Sequence, residues 1–237
     1  MNLIYKNNVQ FNTIGGDAIQ YANRKRSVSK SRAIEPMIRI VSLVAIFTCS
    51  TLHADPKLLI WGDSLSASYG IEEHQGWVTL LQERINSQNL QIDVINGSVS
   101  GETTTGGLSR LPSMLSANQP NWVLIELGGN DGLRGLPLSL MRTNFNSMIE
   151  MIKNTGAQTI LAGMQIPPNY GRRYTEPFFS QYSELAAQHN LPLIPFLIDG
   201  IPQRPELMQD DGIHPRAEAQ GIILENVWPV LFPLLGP

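Results

Sequence analysis

Five short apolar runs alternate with five longer amphipathic stretches from residue 55 onward, and this alternation constrains the fold more than any other feature of the sequence. The runs are rich in Val, Ile and Leu, as in strands whose sheet is covered on both faces. Such runs, separated by helix-length stretches, predict strands of one parallel sheet. The predicted strands are 58–61, 92–95, 122–127, 159–163 and 193–196.

The stretches between these runs have the spacing of helices. In the first of them, Trp77, Leu81 and Ile85 recur on one helical face. Alternating strands and helices form βαβ units, which place helices on both faces of a parallel sheet. The sequence therefore predicts one three-layer α/β/α sandwich domain with about five parallel strands over residues 55–237. The predicted helices are 75–88, 104–117, 138–154, 177–189 and 216–232.

The first 54 residues resemble a targeting sequence. An apolar run at 38–47 follows basic residues, and the segment ends in the small residue Ala54, the pattern of a secretory signal peptide. The run is about ten residues long, whereas a bilayer span needs roughly 20. We expect translation from Met37, cleavage after Ala54, a periplasmic or secreted product and no stable membrane insertion after cleavage. A single N-terminal anchor is the alternative.

Charge is unevenly divided between these two parts. Residues 1–54 carry seven Lys and Arg against two acidic residues, whereas 55–237 carry ten basic and eighteen acidic residues, a net charge of −8. An acidic domain without a basic stripe argues against a nucleic-acid partner. The single cysteine is Cys49, so a chain cleaved after Ala54 has no disulfide, zinc thiolate or thiol nucleophile.

Ligands of parallel α/β sheets bind outside the carboxyl ends of the strands, so the residues after each predicted strand are site candidates. Asp63 and Ser64 follow the first strand. A serine at a strand-to-helix turn presents its hydroxyl near backbone amides that favour developing negative charge. The Gly-x-Ser-x-Gly elbow is absent, because Ser66 stands where its second glycine would be. A helix N-cap is the alternative role for this turn.

A histidine and a carboxylate lie together near the C-terminus. A nucleophilic serine needs a base, and His214 is of the residue type that titrates near neutral pH. Asp211, three residues earlier, is placed to hold the imidazole in its productive tautomer, and Pro215 restricts His214 to an extended conformation. An ordinary Asp-Gly turn is one alternative. A metal site that includes Asp210 is another, although no second His or Cys lies nearby.

Two glycine-containing segments follow the second and third predicted strands. Gly101 lets a backbone N–H approach a ligand closely, and Asn130 brings a side-chain amide to the same edge of the sheet. Together with the N–H of Ser64, these donors make a candidate oxyanion hole. Taken singly, each segment is also ordinary turn or helix-entry chemistry.

Jointly, the four segments resemble the SGNH hydrolases, also called the GDSL esterase/lipase family. The resemblance covers 57–237, and it is greatest to the branch of bacterial periplasmic multifunctional esterases in 123–135, 168–174 and 208–215. One departure is Ser68, which stands where the family has glycine. The matching blocks, in order, are Gly62-Asp63-Ser64-Leu65, Gly101, Gly128-x-Asn130-Asp131 and Asp211-x-x-His214.

The resemblance implies a flavodoxin-like fold and a serine hydrolase of carboxylic esters and thioesters, with arylesterase, acyl-CoA thioesterase or lysophospholipase activity. Ser64 would be the nucleophile, His214 the general base and then acid, and Asp211 its orienting partner, through an acyl-enzyme intermediate. The N–H groups of Ser64 and Gly101 and the side chain of Asn130 would bind the oxyanion. No cofactor and no metal are implied. The expected partner is a small acyl ester or thioester, and we expect a monomer.

Loops beside the site are candidates to cover the acyl chain, although plain loop packing explains them equally well. The segment 132–137 is predicted to be a flexible flap. The expected substrate-binding residues are Leu133, Leu136, Ile166, Pro167 and Tyr170.

Three other functions stay open on the sequence. A carbohydrate O-deacetylase of the same fold would have a small polar acyl pocket. A non-catalytic lipid- or ester-binding module would tolerate loss of Ser64. A metal-dependent hydrolase would lose activity with a chelator.

Overall fold

A five-stranded parallel sheet forms the centre of the computed structural model, which describes residues 55–236. The strand order β2-β1-β3-β4-β5 is that of flavodoxin-like folds. The predicted three-layer α/β/α architecture with a parallel sheet is thereby confirmed. The strands are β1 (Lys57–Gly62), β2 (Asp93–Asn96), β3 (Trp122–Glu126), β4 (Gln158–Ala162) and β5 (Leu193–Ile194).

Helices cover both faces of this sheet. The helices are α1 (Trp77–Ser87), α2 (Thr104–Asn118), α3 (Gly129–Leu133), α4 (Leu138–Asn154), α5 (Arg172–His189) and α6 (Gln220–Leu235). α1 packs against α6, while α4 packs against both α2 and α5, so the helices form two layers. α3 has five residues, too few for the periodicity that predicted the other helices.

The sheet interior is apolar on both faces. Leu58, Leu59, Ile60 and Trp61 of β1 have no exposed surface, because the central strand is covered by helices from both sides. This explains why β1 reads as a continuous apolar run rather than an alternating one. β5 is shorter than predicted, since Pro195 follows it and has no N–H to continue the ladder.

Prolines inside helices account for two displaced boundaries. α5 begins at Arg172, five residues before the predicted start at Pro177. At this position the proline removes one hydrogen bond from the second turn of the helix, a cost that packing of α5 offsets. α6 likewise continues past Pro233 to Leu235, three residues beyond its predicted end at 232.

The N-terminal predictions lie outside the described residues: the start at Met37, the apolar run at 38–47 and cleavage after Ala54. Within 55–236, no helix has the length and apolar character needed to cross a bilayer.

Candidate active site

The candidate site lies at the carboxyl ends of β1 and β3. These neighbouring strands are the point where the strand order reverses, which is where ligands of such sheets bind. Ser64 lies two residues after β1, and Asn130 lies in α3, directly after β3. The loop after β2 is held beside them, because the N–H of Val99 donates to the carbonyl of Gly62 at 3.1 Å.

An unbroken chain of hydrogen bonds links Asp211 and His214, which lie on one loop, to Ser64, which is 150 residues from His214 in sequence. Nε2 of His214 lies 2.8 Å from Oγ of Ser64, and Nδ1 of the same ring lies 2.6 Å from Oδ2 of Asp211. With Nδ1–H donating to the carboxylate, Nε2 is left as the acceptor for the serine hydroxyl. The arrangement has the geometry of a Ser-His-Asp triad.

Asp211 is held as an anion by its own turn. Burial raises the pKa of this carboxyl, but hydrogen bonds from the backbone and ring of His214 and from the N–H of Ile213 outweigh it and lower the pKa to about 2. Oδ1 accepts both backbone N–H groups, at 2.9 Å from Ile213 and 3.0 Å from His214. The carboxylate is therefore ionised at neutral pH and faces the ring.

The loop that carries His214 is closed on itself. Met208 and Pro215 form an antiparallel bridge, and the N–H of Gln209 donates to the carbonyl of His214 at 2.7 Å. The ring of Tyr69 lies over the imidazole, with ring centroids 4.4 Å apart. These contacts fix the ring before any substrate arrives.

The oxyanion-hole candidates offer donors that are free among the described residues. The N–H groups of Ser64 and Gly101 donate to no acceptor within 55–236. Gly101 has a φ of +78°, which favours glycine, and its carbonyl accepts from Nη2 of Arg134 at 2.9 Å. Nδ2 of Asn130 donates one hydrogen to Asp63 at 3.0 Å and has a second one available.

A buried carboxylate ties the Gly101 loop to the Asn130 segment. The side chain of Asp131 accepts from the N–H of Thr104 at 2.8 Å and from its hydroxyl at 2.5 Å. Since Thr104 begins α2 three residues after Gly101, the two segments that carry the oxyanion-hole candidates cannot shift independently.

A cavity of about 510 Å³ opens beside Ser64, Asn130 and His214. Of the predicted substrate-binding residues, Leu133, Ile166 and Pro167 line it, whereas Leu136 and Tyr170 do not. Gly101, a predicted oxyanion-hole residue, does not line it either. Further apolar side chains on its wall were not predicted. They are Leu65, Met164, Pro168, Phe196, Ile198, Pro202, Met208 and Ile213.

Tyr170 and Leu136 instead brace the cavity wall from behind. The hydroxyl of Tyr170 donates to the carbonyl of Leu133, and that of Tyr174 donates to the carbonyl of Leu136, each at 2.8 Å. The predicted flap at 132–137 is thus the end of α3 and a hydrogen-bonded turn. Two tyrosine hydroxyls hold this turn by donating to its backbone carbonyls, and sequence patterns do not reveal such bonds.

Ser68 adopts a backbone conformation that costs free energy. Its φ of +56° lies in the left-handed region, where a side chain costs roughly 1–2 kcal/mol. We expect Ser68→Gly to raise the free energy of unfolding by about 1 kcal/mol, since part of the gain is offset by the freer unfolded chain. Urea unfolding of both proteins measures this.

A matched control is Gln119→Gly, which relieves a φ of +48° at the end of α2, away from the site. It should stabilise by a similar amount. A loss of stability in Ser68→Gly alone would contradict the prediction and show that the serine side chain makes contacts worth more than the backbone strain.

No group of three or more His, Cys, Asp or Glu side chains within 55–236 is arranged to hold a metal ion. The carboxylate of Asp210, a ligand in the metal alternative, accepts from Nη2 of Arg216 at 2.6 Å. Asp210 and Asp211 therefore have different partners.

Fold and site together define a class. A sheet of order 2-1-3-4-5 with a Ser-His-Asp arrangement at its carboxyl edge is the framework of an SGNH-type ester hydrolase. The chain belongs to the GDSL-like Lipase/Acylhydrolase family, whose model matches residues 60–222. The family resemblance of the four sequence blocks is thereby confirmed, and the chain is an enzyme of the ester-hydrolase class.

Curated relatives match most of the chain. It is similar to Esterase TesA of Pseudomonas aeruginosa, at 48% identity over 192 residues, covering 81% of this chain and 96% of that protein. An Arylesterase of Vibrio mimicus is 45% identical with the same coverage. Thioesterase 1/protease 1/lysophospholipase L1 of Escherichia coli is 42% identical over 193 residues, covering 81% and 91%.

Solved structures show the same fold. The crystal structure of TesA has a TM-score of 0.74 and 48% identity and covers 76% of this chain and 99% of that one. The esterase EstA from Pseudoalteromonas sp., inhibited by monoethylphosphonate, has a TM-score of 0.73 and 40% identity with the same coverage.

Proposed function

We propose that this protein is a serine esterase that hydrolyses carboxylic esters and thioesters through an acyl-enzyme on Ser64. The observation that carries the proposal is the hydrogen-bond chain from Asp211 through His214 to Ser64, which ends at an apolar cavity. A nucleophile, its base and the group that orients the base are all within hydrogen-bond reach.

In the first step, Nε2 of His214 takes the proton of the Ser64 hydroxyl as Oγ attacks the carbonyl carbon of the substrate. The ionised Asp211 stabilises the imidazolium that forms. Negative charge develops on the carbonyl oxygen, where the N–H groups of Ser64 and Gly101 and the Asn130 amide donate to it.

In the second step, the tetrahedral intermediate collapses and His214 gives its proton to the departing oxygen or sulfur. The acyl group stays on Ser64. A water molecule, deprotonated by His214, then attacks the acyl carbon, and the serine leaves with the proton returned by the same ring. The products are a carboxylic acid and an alcohol or thiol.

The cavity wall favours an acyl chain longer than acetyl. The cavity volume of about 510 Å³ lies in the range of ligand pockets. Side chains on its wall such as Phe196 and Ile198 offer no hydrogen bonds to a sugar. This supports an aliphatic or aromatic acyl substrate over a carbohydrate O-deacetylase. The names of the relatives support aryl esters, acyl thioesters and lysophospholipids as substrate classes.

We expect the specificity constant on p-nitrophenyl esters to rise from acetate to a medium-length acyl chain. Each buried methylene contributes about 0.8 kcal/mol, which is three- to fourfold per methylene until the cavity is full. Initial rates over a series of acyl lengths measure this. A specificity constant that falls steadily as the acyl chain is lengthened from acetate would contradict the prediction and favour a deacetylase.

The remaining alternatives are separated by a second assay. A fluorophosphonate probe should modify Ser64, detected on its peptide by mass spectrometry, and a chelator should leave the rate unchanged. An unmodified, folded protein would favour a binding module, and inactivation by chelator would favour a metal-dependent hydrolase.

We further propose that the segment ending at Ala54 directs export and that residues 55–237 act in the periplasm or outside the cell. The apolar run at 38–47 and the small residue before Asp55 support this. N-terminal sequencing of the exported protein tests it.

A further inference from the structure

Two carboxyl groups lie side by side beneath the nucleophile, and the triad mechanism uses neither. Glu126, the last residue of β3, is completely buried, and Asp63 is 2% exposed. Two negative charges at such a position would be costly, because burial disfavours the charged form and like charges repel. One of the two groups must therefore hold a proton.

The contacts of Glu126 indicate which group holds it. Oε2 accepts from the N–H of Asp63 at 3.1 Å and from the hydroxyl of Ser66 at 2.6 Å. Oε1 is buried and is offered no donor by any described residue, so this oxygen is free to carry the proton.

Asp63 makes the contacts of a carboxylate. Oδ1 accepts from the N–H of Leu65 at 3.1 Å, and Oδ2 accepts from Nδ2 of Asn130 at 3.0 Å. Burial raises the pKa of Asp63 to about 6, whereas burial and the charge of Asp63 raise the pKa of Glu126 well above its ordinary value. At neutral pH the single proton of the pair therefore belongs to Glu126.

An ionised Asp63 determines how the Asn130 amide is turned. A carboxylate only accepts hydrogen bonds, so the NH₂ end of the amide must face it, and the second N–H of that group remains for the oxyanion. A neutral group that donates at Asp63 would instead bind the amide oxygen of a rotated Asn130. That rotation exchanges the oxygen and the NH₂ group of the amide. The NH₂ group then leaves its position beside Asp63, and its second N–H is no longer held in place for the oxyanion.

We propose that Glu126 retains its proton, so that Asp63 is the ionised member of the pair, and that the Asp63 carboxylate fixes the Asn130 amide with its NH₂ end available to the oxyanion. Glu126 and Asp63 are thus positioning residues for the oxyanion hole. The inference rests on the proposed function, in which Asn130 binds the oxyanion.

Two isosteric amides test which group holds the proton. Glu126→Gln keeps a neutral side chain and can keep an oxygen that accepts from Ser66 and from the N–H of Asp63, so kcat should stay within about tenfold of the parent. Asp63→Asn introduces a donor that permits the rotated amide, so kcat should fall by roughly 100- to 1000-fold, as for loss of an oxyanion-hole donor, with KM changed only a few-fold. Both variants are first compared with the parent by thermal unfolding.

A third variant separates this inference from the proposed function. Asn130→Ala should lower kcat about as much as Asp63→Asn, and the double variant should be no worse than Asn130→Ala alone, because both act through one donor. If Asn130→Ala is fully active, the oxyanion role in the proposed function fails. If it is impaired but the effects of the two substitutions multiply, only the positioning role fails.

The reverse pattern, an active Asp63→Asn with an impaired Glu126→Gln, would place the proton on Asp63 and overturn the inference, as would equal kcat values for the two variants. Infrared difference spectra at pH 7 decide the matter even if a variant is poorly active. Parent minus Glu126→Gln should show the C=O band of a protonated carboxyl, and parent minus Asp63→Asn a carboxylate band. Exchange of these bands would contradict the inference.

Discussion

Ser64→Ala should lower kcat on p-nitrophenyl esters by about 10⁴- to 10⁶-fold. Without Oγ no acyl-enzyme forms, and the residual rate comes from the oxyanion hole and substrate binding alone. The side chain is half-buried, and its hydroxyl meets Nε2 of His214. Stability should therefore change little, and KM should stay within a few-fold.

A serine elsewhere provides the control for this substitution. Ser113 is exposed on α2, where its hydroxyl donates to the carbonyl of Arg110, so Ser113→Ala should keep the parent rate. Hydrolysis by Ser64→Ala at more than a tenth of the parent rate, in a folded protein, would remove Ser64 from the mechanism.

Glu126→Gln should stabilise the folded protein at neutral pH, by up to about 3 kcal/mol at pH 7. Burial, and then the charge of Asp63, raise the pKa of Glu126 well above the ordinary 4.5, so the folded protein keeps a proton that the unfolded chain releases. The free energy of unfolding therefore falls as the pH rises above 4.5. Glutamine cannot ionise in either state, and this loss disappears.

Neighbouring titratable groups do not change the sign of this effect. Asp63 adds its own fall in stability between its ordinary pKa of 3.8 and about 6 in the parent, and because burial also raises its pKa in the variant, this contribution has the same sign in both proteins. Tyr182, whose pKa burial raises well above 10, stays neutral throughout.

Urea unfolding at pH 4.5 and pH 7 measures the difference between Glu126→Gln and the parent. The stabilisation should be present at pH 7 and small at pH 4.5. Equal differences at the two pH values would mean that Glu126 is ionised in the folded protein. Since Glu126→Gln is also expected to stay active, its stability and its kcat can both be measured on one protein sample.

The apolar runs predicted the sheet well because both of its faces are buried. Every predicted strand overlaps an observed one. β1 extends one residue beyond its prediction at each end, and β3 ends one residue before its predicted end. Helix boundaries were predicted less well where Pro177 and Pro233 lie inside α5 and α6. Proline is a helix stop in local sequence terms, and only tertiary packing shows that it is tolerated there.

The predicted catalytic side chains could be found from the sequence because each follows a strand or lies beside a turn. Most residues of the cavity wall could not be found in this way. Phe196, Ile198 and Met208 have the composition of core residues, and only the path of the chain after β5 brings them to the site. Their roles in substrate binding, like those of the triad and oxyanion hole, remain predictions that the variants above test.

Glu126 shows a third kind of limit. In the sequence it is a polar residue inside an apolar strand, and nothing local indicates its partner 63 residues earlier. A polar residue at such a position is buried only if another group satisfies it. A glutamate inside an apolar strand therefore indicates a buried polar position, but it does not indicate which group pairs with it or which of the two holds a proton.

The central claim, an acyl-enzyme on Ser64, is tested most directly by rapid acid quench of the protein during turnover of a p-nitrophenyl ester, followed by peptide mass spectrometry. The mechanism predicts an added acyl mass on the peptide that contains Ser64, assigned to that residue by fragmentation and absent from Ser64→Ala. An acyl group found on another residue that turnover requires would contradict the mechanism. So would continued hydrolysis of the ester by Ser64→Ala together with the absence of any acylated peptide in the parent.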